Sequence, residues 1–178
     1  MKDLRRILLA GKFLLDPSEK VIKITMFEKR NVIRIPYANL KASDWGYVYE
    51  RYVGMILEEE GYAIKFRGLA KGFLDNGIDI IAKKEGEDFF IQCKYIMKNK
   101  LGKQKIEWLL YKASSFLAKN YKGGKIHFWL VVPSIESAFN SKKDKNGMSY
   151  YPWAKYFLSK NYEQSKVILK IKEIEMIR

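Results

Sequence analysis

The sequence predicts an α/β protein: helices flank a mixed β-sheet, and a β-rich extension over residues 1–42 precedes a main domain at 43–178. Three observations carry this. Short apolar blocks bounded by turn residues dominate the chain before residue 40, helical spacing sets in at Trp45, and strand-like and helix-like segments alternate from residue 62 onward. At 178 residues, one folding unit is the expectation, with roughly 70% of the unfolded chain's surface buried.

Residues 4–37 read as strands, with Val21–Phe27 and Val32–Ile35 on either side of a hairpin loop, Glu28-Lys29-Arg30-Asn31. Asp16-Pro17-Ser18 is the turn before them. Ser43 or Asp44 then caps a helix carrying Trp45, Val48, Tyr49, Tyr52, Val53, Ile56 and Leu57, and Gly61 ends it. Tyr62–Phe66 reads as a strand, followed by a loop punctuated by Gly68, Gly72 and Gly77. Ile78–Lys83 and Phe89–Ile96 form an antiparallel hairpin around the turn Glu85-Gly86-Glu87-Asp88. Lys103–Asn120 is helical by the spacing of Ile106, Leu109, Leu110, Ala113, Phe116 and Leu117, and Gly123-Gly124 stops it. Ile126–Val132 is almost wholly apolar, as a strand covered on both faces should be. Tyr151–Leu158 is a helix entered through Pro152, and Val167–Ile171 is the last strand.

With 48% hydrophobic and 15% aromatic residues the composition excludes disorder and fibrous repeats. No apolar run reaches the ~20 residues that span a bilayer, and the N-terminus makes a poor signal peptide, so no membrane partner is expected. One cysteine, Cys93, and one histidine, His127, leave no internal disulfide and no Cys/His zinc set. A cytoplasmic, intracellular location follows as the expectation.

Charge gives the first functional indication. Lys and Arg total 34 against 20 Asp and Glu, a formal charge of +14. That excess attracts polyanions, with nucleic acid foremost. The lysines are clustered: Lys94, Lys98, Lys100, Lys103, Lys105, Lys112, Lys119, Lys122 and Lys125 face a single acid, Glu107. Lys142-Lys143-Asp144-Lys145 is a second knot.

The chemistry-bearing segment runs from Asp75-Asn76-Gly77-Ile78-Asp79 to Gln92-Cys93-Lys94. Strand alternation puts Phe90, Gln92 and Lys94 on one face and Phe89, Ile91, Cys93 and Tyr95 on a core face. Gln92 and Lys94 then sit beside the strand bearing Asp79, a carboxylate between Ile78 and Ile80 that is costly to bury without a partner or a metal. On a helical wheel with Trp45 at zero, Glu50 falls at about 140°, at the edge of an apolar arc ending near about 120°. It can lean over the sheet if Gly46 and Gly54 leave room. Asp79, Glu50 and the Cys93 backbone carbonyl offer hard oxygen donors of the kind Mg²⁺ takes.

Glu50, Asp79 and the Gln92-Cys93-Lys94 triplet resemble the PD-(D/E)XK nuclease superfamily, and within it the Mrr-like restriction-endonuclease branch, with Holliday-junction resolvases as near relatives. The resemblance spans roughly residues 43–133. It implies a restriction-endonuclease-like fold and metal-dependent phosphodiester hydrolysis at Glu50, Asp79, Gln92 and Lys94, with Mg²⁺ bound and Mn²⁺ able to substitute. Lys94 would orient or deprotonate the attacking water and stabilise developing negative charge. One departure from the pattern is Ile78, where a proline usually precedes the aspartate.

Three functional readings stand open: a Mg²⁺-dependent DNA endonuclease of restriction or structure-selective type, a junction resolvase, and a nucleic-acid-binding protein that keeps the fold without turnover. In the first two the backbone of DNA is met by Lys98, Lys100, Lys103, Lys105 and Lys112, and double-strand cleavage implies a homodimer. Plainer roles compete at single residues. Asp75 and Asp79 would serve as turn or capping groups and Glu50 as one more surface glutamate. Cys93 reads as a packed thiol and His127 as a packed imidazole without an obvious partner. Tyr150, Tyr151, Trp153 and Tyr156 form an aromatic cluster suited to core or interface.

Overall fold

A computed structural model describes residues 4–28, 31–72, 76–96, 98–121, 123–161 and 166–178. The chain opens with helix α1 (Leu4–Leu9) and strands β1 (Gly11–Asp16), β2 (Val21–Met26) and β3 (Val32–Pro36). The strands pair as an antiparallel sheet in the order β1-β2-β3. Residues 4–9 are thus helical rather than extended. Leu4, Ile7 and Leu8 fall at i, i+3 and i+4, and burial of Leu4 and Leu8 on one side satisfies the helical period. The expected 28–31 hairpin loop is closed by the Met26 N–H donating to the Asn31 carbonyl at 2.9 Å; Lys29 and Arg30 lie outside the described residues.

Helix α2 (Asp44–Glu59) leads to β4 (Ala63–Phe66), the one-turn helix α3 (Gly68–Lys71), and the hairpin β5 (Ile80–Lys84) and β6 (Glu87–Cys93). Helix α4 (Lys103–Asn120) and β7 (Ile126–Val132) follow, then α5 (Ile135–Ala138), the small hairpin β8 (Lys142–Lys143) and β9 (Ser149–Tyr150), α6 (Pro152–Leu158) and β10 (Val167–Glu173). The main sheet has the order β10-β7-β6-β5-β4. Its β10, β7 and β6 are parallel neighbours, and β5 and β4 are antiparallel. The fold class is therefore as expected: a mixed α/β sheet flanked by helices. The lysine knot at 142–145 falls on the small hairpin, where the Asp144 carboxylate accepts the N–H groups of Asn146 and Met148 and so shapes the turn.

Each face of the sheet has its own core. Alternation along β7 sends Trp129 and Val131 to one side and Phe128, Leu130 and Val132 to the other. The first side packs on Trp45, Val48, Tyr49, Val53 and Leu57 of α2, and the second on Ile106, Leu109, Ala113, Phe116 and Leu117 of α4. In β6 the side that carries Phe90 is thus also covered, by α4, and is not an open face.

The N-terminal extension shares the α2 core: Leu8, Ile22 and Ile24 are fully buried in it. Burying each such side chain contributes about 1.5–3 kcal/mol. Arg51 fastens the junction, donating from Nε to the Leu8 carbonyl at 3.1 Å while its guanidinium lies over the rings of Phe13 and Phe66. At the other end of the chain, the Tyr49 hydroxyl donates to the Ile174 carbonyl at 2.9 Å. No helix among the described residues is long and apolar enough to cross a membrane.

Candidate active site

The site is assembled where α2, α3 and the open ends of β5 and β6 converge. Asp79 directly precedes β5, one residue short of its expected strand position, and its backbone is clamped from both sides. Its N–H donates to the Ile91 carbonyl at 2.8 Å, and its carbonyl accepts the N–H groups of Arg67 and Gly68 at 2.6 and 2.9 Å. The first bond holds Asp79 to β6; the others draw the start of α3 against it. Gly77, at φ +77°, makes the turn into this segment. A Cβ there would lie 3.1 Å from the Lys112 Cβ. Asp75 lies outside the described residues.

Two carboxylates meet at Gly68. A Cβ built on that glycine would contact both Glu50 oxygens, Oε1 at 2.8 Å, and would stand 2.9 Å from Asp79 Oδ1. Glu50 is buried on α2 and accepts the Leu69 N–H on Oε1 at 2.9 Å. Asp79, also buried, accepts the Cys93 N–H on Oδ2 at 2.7 Å and the side-chain amide of Gln92 on the same oxygen. Gly46 lines the cleft, but a Cβ there would meet nothing within 4 Å; the room for Glu50 comes from Gly68. It does not come from Gly54, whose missing side chain is replaced by the Phe66 ring.

These groups line a cleft of about 370 Å³ together with Tyr47, Cys93, Lys94 and Lys112. Lys94 follows the end of β6, whose pairing with β7 runs to Cys93 and Val131; its N–H donates to the Val131 carbonyl at 2.8 Å. The Cys93 thiol reports the local charge. Burial pushes its pKa well above the ordinary value, the Asp79 and Glu50 carboxylates push it further, and Lys94 opposes them. A thiol so held is a packed group and not a nucleophile.

The expected cationic residues divide. Lys112 lines the cleft, and Lys94 and Lys105 line a hollow beside it. Lys100 instead donates to the Glu136 and Phe139 carbonyls, pinning the α5 loop, and Lys103 pairs with Glu107 at 3.8 Å. Lys105 donates to the Asn99 carbonyl at 3.1 Å, while Lys98 is exposed. His127 is remote from the site: it stacks on Phe89 at 4.4 Å and meets Glu87 at 3.0 Å, partners that the hairpin register supplies and linear spacing hides.

Sequence reasoning passed over Tyr47, Gly68 and Arg5 at this site. Arg5 of α1 lies over the Tyr47 ring at 5.6 Å and fills the space left by Gly72, so the N-terminal extension reaches the cleft rim. Tyr47, one turn before Glu50, was the signal available for the first.

The donor set suits a small divalent cation. Glu50 Oε1 and Oε2 and Asp79 Oδ1 crowd one small space, kept free by a glycine. Among the described residues no cluster of three or more His, Cys, Asp and Glu side chains occurs, so any hard cation here relies on two carboxylates plus backbone or amide oxygen.

Helices cover both faces of a mixed sheet; Asp79 and Lys94 lie at the open ends of its β5–β6 hairpin, and Glu50 reaches the same cleft from α2. Residues 42–124, a little under half of the chain, match the Mrr-type catalytic-domain family described as restriction endonuclease. Over that segment the chain is similar to this restriction-endonuclease family. No curated protein matches it. Among solved structures it is similar to a repair endonuclease from Pyrococcus abyssi, at 16% identity and a TM-score of 0.41. That similarity covers 93% of this chain, which spans 65% of the other protein's length.

Proposed function

We propose that the protein is a divalent-metal-dependent DNA endonuclease, with Mg²⁺ as its ion and Mn²⁺ as a substitute. The observation that carries this is the convergence of Glu50 and Asp79 on the space above Gly68. Glu50, Asp79 and the Cys93 carbonyl would hold the ion, which when bound supplies electrophilic stabilisation of a phosphoryl group and an activated water. Gln92 and the Cys93 N–H fix Asp79 through Oδ2, with Oδ1 on the side of Gly68 and Glu50. Lys94 presents an ammonium at the same cleft, where it offsets charge developing on a cleaved phosphate. Lys112, which lines the same cleft, engages the DNA backbone. One cleft cuts one strand, so duplex cleavage takes two copies of the chain.

The test is incubation of the full chain with linear duplex, single-stranded, forked and four-way DNA, with Mg²⁺ or with EDTA. Cleavage that requires the metal and disappears in Asp79→Asn while DNA binding persists supports the reading. Metal-independent binding to every substrate without cleavage would leave a DNA-binding protein on a nuclease fold.

A further inference from the structure

Trp108 and Tyr111 stand on the solvent side of α4, 58% and 62% exposed. They are one helical turn apart, and their rings stack with centroids 5.5 Å apart and planes inclined by 18°. Neither belongs to the buried stripe of the helix. Paired aromatic rings left in water mark a contact surface.

The surroundings decide the partner. A hollow of about 280 Å³ is lined by Trp108 and Lys105 and by Gln92, Lys94 and Lys112, the last three shared with the carboxylate cleft. The Lys112 ammonium lies 5.6 Å from the Trp108 ring centroid. A second hollow, of about 270 Å³, sets Trp108 and Tyr111 beside Lys112 and Lys119. The only acid on this helix, Glu107, accepts the Tyr156 hydroxyl at 2.9 Å and faces Lys103, so it is already engaged. A flat aromatic pair between ammonium groups is matched by nucleobases strung between phosphates. A second copy of a chain with net charge +14 would meet like charge across the same surface.

We propose that Trp108 and Tyr111 form a base-stacking platform beside the cleft, and that it takes unpaired bases. Within an intact duplex both faces of each base are covered by its neighbours, so a lateral platform gains nothing from them. An unpaired arm offers free faces. The preferred ligand is therefore DNA with a single-stranded arm, such as a fork or flap. That this DNA is also the substrate rests on the nuclease reading above; the platform itself does not.

Binding measured in EDTA separates the two. The probes are labelled oligothymidylate, a fork with unpaired arms, and a closed duplex hairpin, titrated with wild type, Trp108→Ala, Tyr111→Ala and Trp108→Phe. Both alanine variants should lose roughly 5- to 150-fold in affinity for the first two probes. Affinity for the closed hairpin should change by less than about twofold, and Trp108→Phe should keep most of the binding. Oligothymidylate should quench wild-type tryptophan fluorescence, and Trp108→Phe should lose that component. Equal losses on all three probes, or no loss on any, would overturn the platform. Variants that dissociate a dimer in sedimentation without changing DNA affinity would assign the patch to a second copy instead. Absence of metal-dependent cleavage would sink the nuclease reading alone.

Discussion

Gln92 gives its side-chain amide to Asp79 Oδ2, the oxygen that the Cys93 N–H also holds at 2.7 Å. The aspartate is thereby divided: Oδ2 belongs to the frame and Oδ1 faces Glu50 across the Gly68 gap. Position 92 acts through Asp79, as a positioning group.

Replacing Gln92 tests that division. Gln92→Glu sets a carboxylate against Asp79 Oδ2 in a buried place, so the melting temperature should fall in EDTA and recover with Mg²⁺ or Mn²⁺. Gln92→Leu removes one of two donors to Oδ2 while filling similar volume. Its cleavage rate should drop by about tenfold or more, since a small misplacement of a positioned group is that costly. Wild-type cleavage by the leucine variant would place residue 92 outside the chemistry.

Gly68→Ala should empty the site without unfolding the protein. The new methyl group meets the end of the long Glu50 side chain, which swings away, while Asp79 stays held through Oδ2. Gly68 begins α3, where alanine is favoured by up to about 1 kcal/mol. Calorimetry should register metal affinity reduced at least about tenfold, with the melting temperature nearly unchanged.

Tyr121 ties the end of α4 to the sheet, its hydroxyl donating to Asp88 Oδ2 at 2.7 Å. That bond, with help from Lys83, holds the Asp88 carboxyl below its ordinary value of 3.8. A lowered pKa means that the stabilisation is fully present above the unfolded value and is lost as pH falls through the folded one. Tyr121→Phe should thus cost on the order of 1 kcal/mol near neutral pH. In urea melts, the gap from wild type should narrow as the pH falls below 3.8 and close at lower pH.

Much of this was legible in the sequence, for physical reasons. The 103–120 helix and the 126–132 strand were read to the residue because their apolar spacing matches how they are buried. Glu50 was legible from its wheel angle, and Asp79 from the cost of a carboxylate among isoleucines. Gly68 was not. Its role depends on the Arg67 and Gly68 N–H groups donating to the Asp79 carbonyl, which linear spacing does not encode. Helix α1 was hidden because four apolar residues in six fit a strand as readily as a short helix. Trp108 and Tyr111 were passed over for the opposite reason: attention to the buried stripe of α4 discards what lies off it.

The last prediction concerns salt. Each phosphate neutralised by a lysine releases counterions, so log affinity falls with log salt by about 0.9 per contact on duplex and about 0.7 on single strands. Hydrogen bonds to carbonyls leave an ammonium charged, so Lys105 still counts although it donates to Asn99 and Lys100. Lys103 counts for less, being paired with Glu107. Lys112 should count fully, because it lines both the cleft and the hollow that leads to Trp108. Lys112→Gln should therefore flatten the slope by nearly one contact, and Lys103→Gln by clearly less. Lys83 and Lys84 serve as the control: they lie at the far end of β5 from Asp79, engaged by Asp88 and by the Glu60 carbonyl. Gln at both should leave the slope unchanged. The measurement is affinity for a fixed duplex in EDTA over a salt series. A slope that responds to 83 and 84 but not to 112 would move the DNA path to the opposite end of the sheet, away from Glu50 and Asp79.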